Sequence, residues 1–186
     1  MVTLNQIDYK IIDLLQRNAR MTQSEIAAAV GLSQPAVAER MRKLEQEGVI
    51  TGYTARVDGR HLGKDITAFI GVRIEHPRHN DEFARRILAQ PDVLECHHVT
   101  GSDSYLLKVV TENTESLDRL ISESLRIIPG VTRTHTTIVM SSVKESTLIK
   151  PAVEISKLPK KRRLGHLDSG KMKNARSAIS RQKEKK

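Results

Sequence analysis

A chain of 186 residues, 38% hydrophobic and 28% charged, has room for two small globular modules, and none of its apolar runs approaches the ~18 residues that cross a bilayer. The net charge of +9 is local: residues 1–150 hold 19 basic and 19 acidic side chains, while residues 151–186 hold 12 basic and three acidic. A single cysteine, Cys96, excludes an intrachain disulfide and a multi-cysteine zinc site. The start of the chain lacks the basic-then-apolar order of a secretion signal, so a cytoplasmic location without membrane partners is expected.

The first periodic segment follows Asn5, an N-cap residue with Asp8 three positions on. It sets Leu4, Ile7, Ile11, Leu14 and Leu15 on one stripe. A second start signal is Thr22 with Glu25, the spacing of a capping box; Ile26, Ala27 and Val30 then face inward up to Gly31. Ser33 opens a third helix, with Pro35 in the first turn, where a missing N–H does no harm. Its apolar positions Val37, Met41 and Leu44 recur at helical spacing, and Gly48 supplies a left-handed stop. From Val49 to Val57 the residues are strand-like, which predicts a wing or connecting strand, punctuated by Gly52 and Asp58-Gly59.

Beyond this point extended and helical segments alternate. Strands are expected at Ile66–Ile74, Val93–Thr100, Tyr105–Val110 and Val131–Val139, with helices at Glu82–Ala89 and Leu117–Ile127. Pro91-Asp92 and Pro129-Gly130 end the helices, and Thr114 is placed to cap the second. The order βαββαβ is that of a ferredoxin-like domain. The expected class is therefore α+β: a winged helix-turn-helix over residues 1–60, a ferredoxin-like βαββαβ sensing domain over 61–150, and a basic disordered tail over 151–186. That tail has few large apolar residues and contains Lys160-Lys161-Arg162-Arg163.

Residues 22–47 have the plan of a DNA reader: a short helix, a glycine turn, and a longer helix whose leading turn is exposed. If Val37, Met41 and Leu44 face the core, helical geometry turns Pro35, Ala38, Glu39, Arg42, Lys43 and Gln46 outward. Ser33, Gln34 and Ala36 complete the leading end, where backbone amides and the helix dipole favour phosphate. Arg42 and Lys43 suit phosphate or guanine edges and Gln34 suits adenine; Glu39 suits cytosine or the orientation of an arginine. Arg40 lies nearer the core side, where an internal ion pair and a phosphate contact are equally open. On pattern alone, a three-helix bundle without DNA also fits.

Longer strings narrow the choice. Ile7 through Gln16, Asn18-Ala19-Arg20, Glu25-Ile26-Ala27, Gly31-Leu32-Ser33, and Arg40 through Ile50 followed by Gly52-Tyr53 resemble the leucine-responsive regulator family, Lrp/AsnC. So do Val99-Thr100-Gly101 with Tyr105-Leu106-Leu107-Lys108-Val109, and Pro129-Gly130-Val131 with Thr134; the resemblance spans about residues 3–150. It implies a winged helix-turn-helix on double-stranded DNA and a βαββαβ domain whose sheets pair into dimers. The dimers would join into larger rings such as octamers, with small effectors, usually amino acids, between neighbouring sensing domains. A nucleoid-associated cytoplasmic regulator follows, with no cofactor and no enzymatic role. Dimerisation has its own rationale, since one helix-turn-helix reads only a half-site.

Gly101-Ser102-Asp103-Ser104-Tyr105 joins two predicted strands and is the candidate effector loop, together with Thr134 and Thr136 on one face of the last strand. Many members of the family carry two carboxylates in this loop; here serines occupy both places. The loop reads equally as a hairpin turn chosen for Gly and Asp. Cys96, His97 and His98 cannot converge on one metal ion, because neighbouring strand residues point to opposite faces. No nucleophile, base and orienting partner stand at catalytic spacing.

Three function classes remain: a sequence-specific regulator, an architectural DNA-bending protein, and an enzyme on a ferredoxin-like scaffold, the last lacking a catalytic constellation. The tail suits nonspecific affinity for DNA, or plain solubility. Truncation after residue 150 is expected to flatten the dependence of log K on log salt, by about 0.9 for each phosphate that the tail neutralises. An unchanged slope would remove the tail from DNA binding.

Overall fold

Asn5 sets the start of the fold, because its side chain accepts from the amides of Ile7 and Asp8 at 2.9 and 3.2 Å while Asp8 accepts from the Asn5 amide at 2.9 Å. This reciprocal capping box opens α1, Gln6–Arg17. The computed structural model describes residues 3–152, so the expected basic tail lies outside the described residues from 153 onward. Helix α2, Gln23–Val30, opens on a second capping box between Thr22 and Glu25 and ends at Gly31, whose φ of 70° few other residues adopt. Helix α3 spans Gln34–Gln46, and Gly48 follows in the same left-handed region.

The chain divides into two units. One runs to Tyr53 and resumes at Thr147; the other is Thr54–Ser146. In the first, Ile11 and Leu15 of α1, Ile26 and Ala27 of α2, and Val37 and Leu44 of α3 form a buried cluster. Each large member contributes about 1.5–3 kcal/mol by leaving water. Arg40 Nη1 donates to Asp8 Oδ1 at 2.6 Å, so the residue that starts α1 also holds α3. The returning chain is stitched to α1, where the Gln16 amide brackets the backbone of Ile149 with bonds of 2.7 and 3.1 Å. Tyr53 donates its hydroxyl to Glu45 at 2.8 Å, and burial with this carboxylate pushes the phenol up to about 12.

The segment Val49–Val57, expected as a wing or connecting strand, joins no ladder among the described residues. A strand requires a hydrogen-bonded neighbour, and strand-like composition does not supply one.

In the second unit the strands β1 (Ile66–Ile74), β2 (Val93–His98), β3 (Tyr105–Thr111) and β4 (Val131–Ile138) form one antiparallel sheet ordered β2-β3-β1-β4. Helix α4, Asn80–Leu88, links β1 to β2, and α5, Thr114–Arg119, opens the link from β3 to β4. This is the βαββαβ arrangement. Alternation along β1 and β3 buries Ala68, Ile70, Val72, Leu107 and Val109 on one face, under Phe83, Ile87, Leu117, Leu125 and Ile128. The other face carries Phe69, Gly71 and Arg73 of β1, in register with Thr137, His135 and Arg133 of β4, and on the other side of β1 Lys108 and Leu106 of β3 stand opposite Phe69 and Gly71.

Local chemistry at α5 differs from expectation. Asn113, not Thr114, is the cap, and it forms a reciprocal box with Ser116. Beyond Arg119 the helix widens into a π-helical turn, Leu120–Leu125, with both terminal leucines buried. Bonding from i to i+5 brings residues five apart towards one face, which an α-helix would separate.

Replacing Asp8 by Ala removes a cap and leaves a largely buried guanidinium without its partner, and is expected to lower the stability of the helical unit by about 1–3 kcal/mol in urea titration followed by helix signal. Asp13→Asn, which breaks only the exposed pair with Arg17, is the control and should leave the midpoint unmoved.

Candidate nucleic-acid interface and effector loop

The turn between α2 and α3 is built by left-handed Gly31, whose amide, with that of Leu32, donates to the Ala27 carbonyl at 2.9 and 3.1 Å. Ser33 then stands at the N-cap of α3 in extended conformation, but its hydroxyl makes no capping bond. The leading end of α3 thus keeps its serine hydroxyl unengaged by the cap.

Packing sorts the residues of α3. Val37 and Leu44 are buried, so Ser33, Gln34, Pro35, Glu39, Arg42 and Lys43 are exposed, with Ala36 and Ala38 half-buried beside them. These small residues leave the flank of the helix open to close approach. Of the two roles open to Arg40, the structure shows the internal ion pair: its guanidinium turns back to Asp8 and is largely covered. Arg42 donates through Nε and Nη2 to both oxygens of Glu39, at 3.1 and 2.6 Å. The hydrogen bond from Arg42 holds the Glu39 carboxyl below its ordinary value, and the same bond raises the arginine. Lys43 lies 3.7 Å from Glu47, a looser pair.

The candidate effector residues divide between the two faces of the sheet. Gly101 has φ 123°, and the loop folds back so that the Ser104 amide donates to the Val72 carbonyl at 2.8 Å. The Ser104 hydroxyl accepts from the Ile74 amide at 3.0 Å. Asp103 lies over Gly71 on the face away from the helices and accepts from Arg133 at 3.1 Å, while Arg73 donates to the Ser102 carbonyl at 2.6 Å. Tyr105 points the other way, its ring centroid 4.6 Å from that of Phe83 and 5.1 Å from that of His98. Thr134 and Thr136 are in register with Val72 and Ile70 on that same helix-covered face. Asp103 therefore lies on the uncovered face, and Tyr105 and the two threonines on the helix-covered one, on strands that β1 separates.

Gly71, Arg73 and Arg133 were absent from the expected site. The signal available in sequence was a glycine inside an otherwise regular strand, Ile66–Ile74, which marks the close approach of another chain segment. Its partner was not readable, since Asp103 lies far along the chain. On β2, Cys96 and His98 are in register with Leu107 and Tyr105, whereas His97 is in register with Leu106 and bonds Glu95 at 3.2 Å. Burial pushes the Cys96 thiol up, which disfavours thiolate.

A helix-turn-helix with an exposed leading turn, followed by a βαββαβ domain with a loop folded on its open face, defines a DNA-binding regulator with a small-molecule domain. Residues 4–51 match the winged helix-turn-helix DNA-binding family, and residues 67–149 match the Lrp/AsnC ligand binding domain. The chain is 44% identical over 122 residues to the HTH-type transcriptional regulator YezC of Bacillus subtilis, covering 66% of this chain and 86% of that one. It is 34% identical to the leucine-responsive regulatory protein of Escherichia coli K12, covering 77% of this chain and 88% of that protein. A transcriptional regulator of Neisseria meningitidis, solved as an L-Met complex, superposes with a TM-score of 0.76 at 28% identity, over 80% of this chain and 97% of that one. The chain belongs to the Lrp/AsnC family of transcriptional regulators and acts as a DNA-binding regulator, not an enzyme.

A Cβ at Gly71 would stand 2.8 Å from Asp103 Cγ. Gly71→Ala is therefore expected to destabilise the wild-type chain, whereas in an Asp103→Ala background the same change should stabilise by about 0.5–1 kcal/mol, the ordinary gain of alanine over glycine within a strand. Thermal unfolding of the four proteins measures this sign reversal. The same sign in both backgrounds would exclude the close approach.

Proposed function

We propose that the exposed face of α3 enters the major groove of double-stranded DNA, with Ser33, Gln34, Pro35, Ala36, Ala38, Glu39, Arg42 and Lys43 at the contact. The observation that carries this reading is the division of α3 itself. Val37, Leu44 and the paired Arg40 hold one side to the bundle, and the opposite side is exposed and polar. Ser33 and the first-turn amides suit phosphate, while Gln34 and Arg42 suit base edges. Arg40 acts by fixing the rotation of the helix.

The effector of the second unit is proposed to be an amino acid or a related small molecule, met by Gly101, Ser102, Asp103 and Ser104, with Tyr105, Thr134 and Thr136 behind them. The L-Met complex of the Neisseria regulator supports this class. Self-assembly into dimers and then octamers is supported by the exposed Phe69 and Leu106, which sit among polar groups on the uncovered face of the sheet. Two copies also supply the two helix-turn-helices that read the half-sites of a palindrome. The working location is the cytoplasm, on the nucleoid, as DNA binding requires.

Footprinting the full-length protein on the DNA upstream of its own gene, with and without each of the common amino acids, tests the reading. Discrete protection at repeated half-sites is the expected result, shifted by at least one amino acid. Uniform coverage irrespective of sequence would instead favour the architectural class, and a footprint indifferent to all of them would remove the amino-acid effector.

A further inference from the structure

Glu39 and Arg42 stand one helical turn apart on the exposed side of α3 and form a single composite group. The guanidinium is engaged side-on, through Nε and Nη2. Of its five N–H donors, this consumes the Nε hydrogen and one on Nη2, and it leaves Nη1 and the outer Nη2 hydrogen unengaged by Glu39. The remaining edge carries two parallel N–H groups, the pattern that fits O6 and N7 of guanine in the major groove. Helix α3 holds only one other arginine, Arg40, and that one is committed to Asp8. Lys43, a point charge on a flexible stem, cannot present a fork.

The carboxylate has two effects. It restricts the rotamers of Arg42 before docking, so less freedom remains to be lost when a base is bound. It also cancels most of the arginine's charge at the protein surface, which weakens attraction to phosphates anywhere on a duplex while leaving the directional donors in place. Both effects raise discrimination more than affinity. An exposed pair of this kind adds little to folding stability, so removing it perturbs docking and not the fold.

We infer that Glu39 is a specificity-determining residue, which buttresses Arg42 so that its free edge reads a guanine in each half-site. This rests on the placement of α3 in the major groove proposed above. Glu39 is a positioning residue, acting through Arg42, and Arg42 makes the base contact.

The test begins with duplexes selected from a randomised pool by the full-length protein, followed by titration of every single-base variant of the selected site. The wild type is expected to disfavour replacement of one guanine per half-site by about tenfold or more. Glu39→Ala should erase most of that discrimination and at the same time tighten binding to unrelated duplex, while Arg42→Lys should lose the same guanine preference. Adding Glu39→Ala to Arg42→Ala should cost no further discrimination, since the carboxylate works only through the arginine. Full wild-type preference at every guanine in Glu39→Ala, or losses that add independently in the double variant, would overturn the inference and leave the reading role of α3 intact. Failure of the wild type to select any sequence would overturn that role as well, and is told apart by the first step alone.

Discussion

The helical unit depends on one carboxylate. Asp8 is 8% exposed and has two claims on it, the Asn5 amide at 2.9 Å and the Arg40 guanidinium at 2.6 Å. The first fixes where α1 begins; the second fixes how α3 is rotated about its axis. With Arg40 drawn towards α1, the geometry of a helix leaves Glu39 and Arg42 facing outward and Val37 and Leu44 facing in. A charge this covered is tolerable only because each of its oxygens accepts a hydrogen bond, one of them from a cation. Apolar burial supplies most of the cohesion, but it is non-directional, and a stripe of Val37, Met41 and Leu44 would accept a range of rotations. The ion pair selects among them.

The second unit obeys a different constraint. A four-stranded antiparallel sheet has two faces, and α4 with α5 covers only one. On the uncovered face the absence of a side chain at Gly71 lets Asp103 lie against β1, where Arg133 holds it, while Arg73 takes the Ser102 carbonyl. The loop is thereby anchored at both its carboxylate and its backbone. This arrangement pairs the one carboxylate of the loop with Arg133. Serines already stand where many members of the family carry carboxylates, and the register of β1 with β4 adds that the loop's one acid is paired to an arginine.

Local features are legible in the amino-acid order. The capping boxes at Asn5 and Thr22, the left-handed glycines at 31 and 48, and the strands Ile66–Ile74 and Val131–Ile138 all follow from interactions spanning a few residues, or from a hydrophobic period. Where reading failed, the missing information was a partner. Val49–Val57 has strand composition, but no neighbouring strand among the described residues. Thr114 and Asn113 are both competent caps, and only backbone geometry chose the asparagine.

The sequence by itself determined the two modules, the outward set on α3 and the kinship to the Lrp/AsnC family, because these rest on periodicity and on strings of neighbouring residues. Tertiary structure alone decided that Arg40 pairs with Asp8, that Asp103 pairs with Arg133, and that Tyr105 and Asp103 lie on opposite faces of one sheet. The physical reason is common to all three. Each depends on which distant segments the folded chain brings within hydrogen-bond reach, and a local pattern carries no record of that distance.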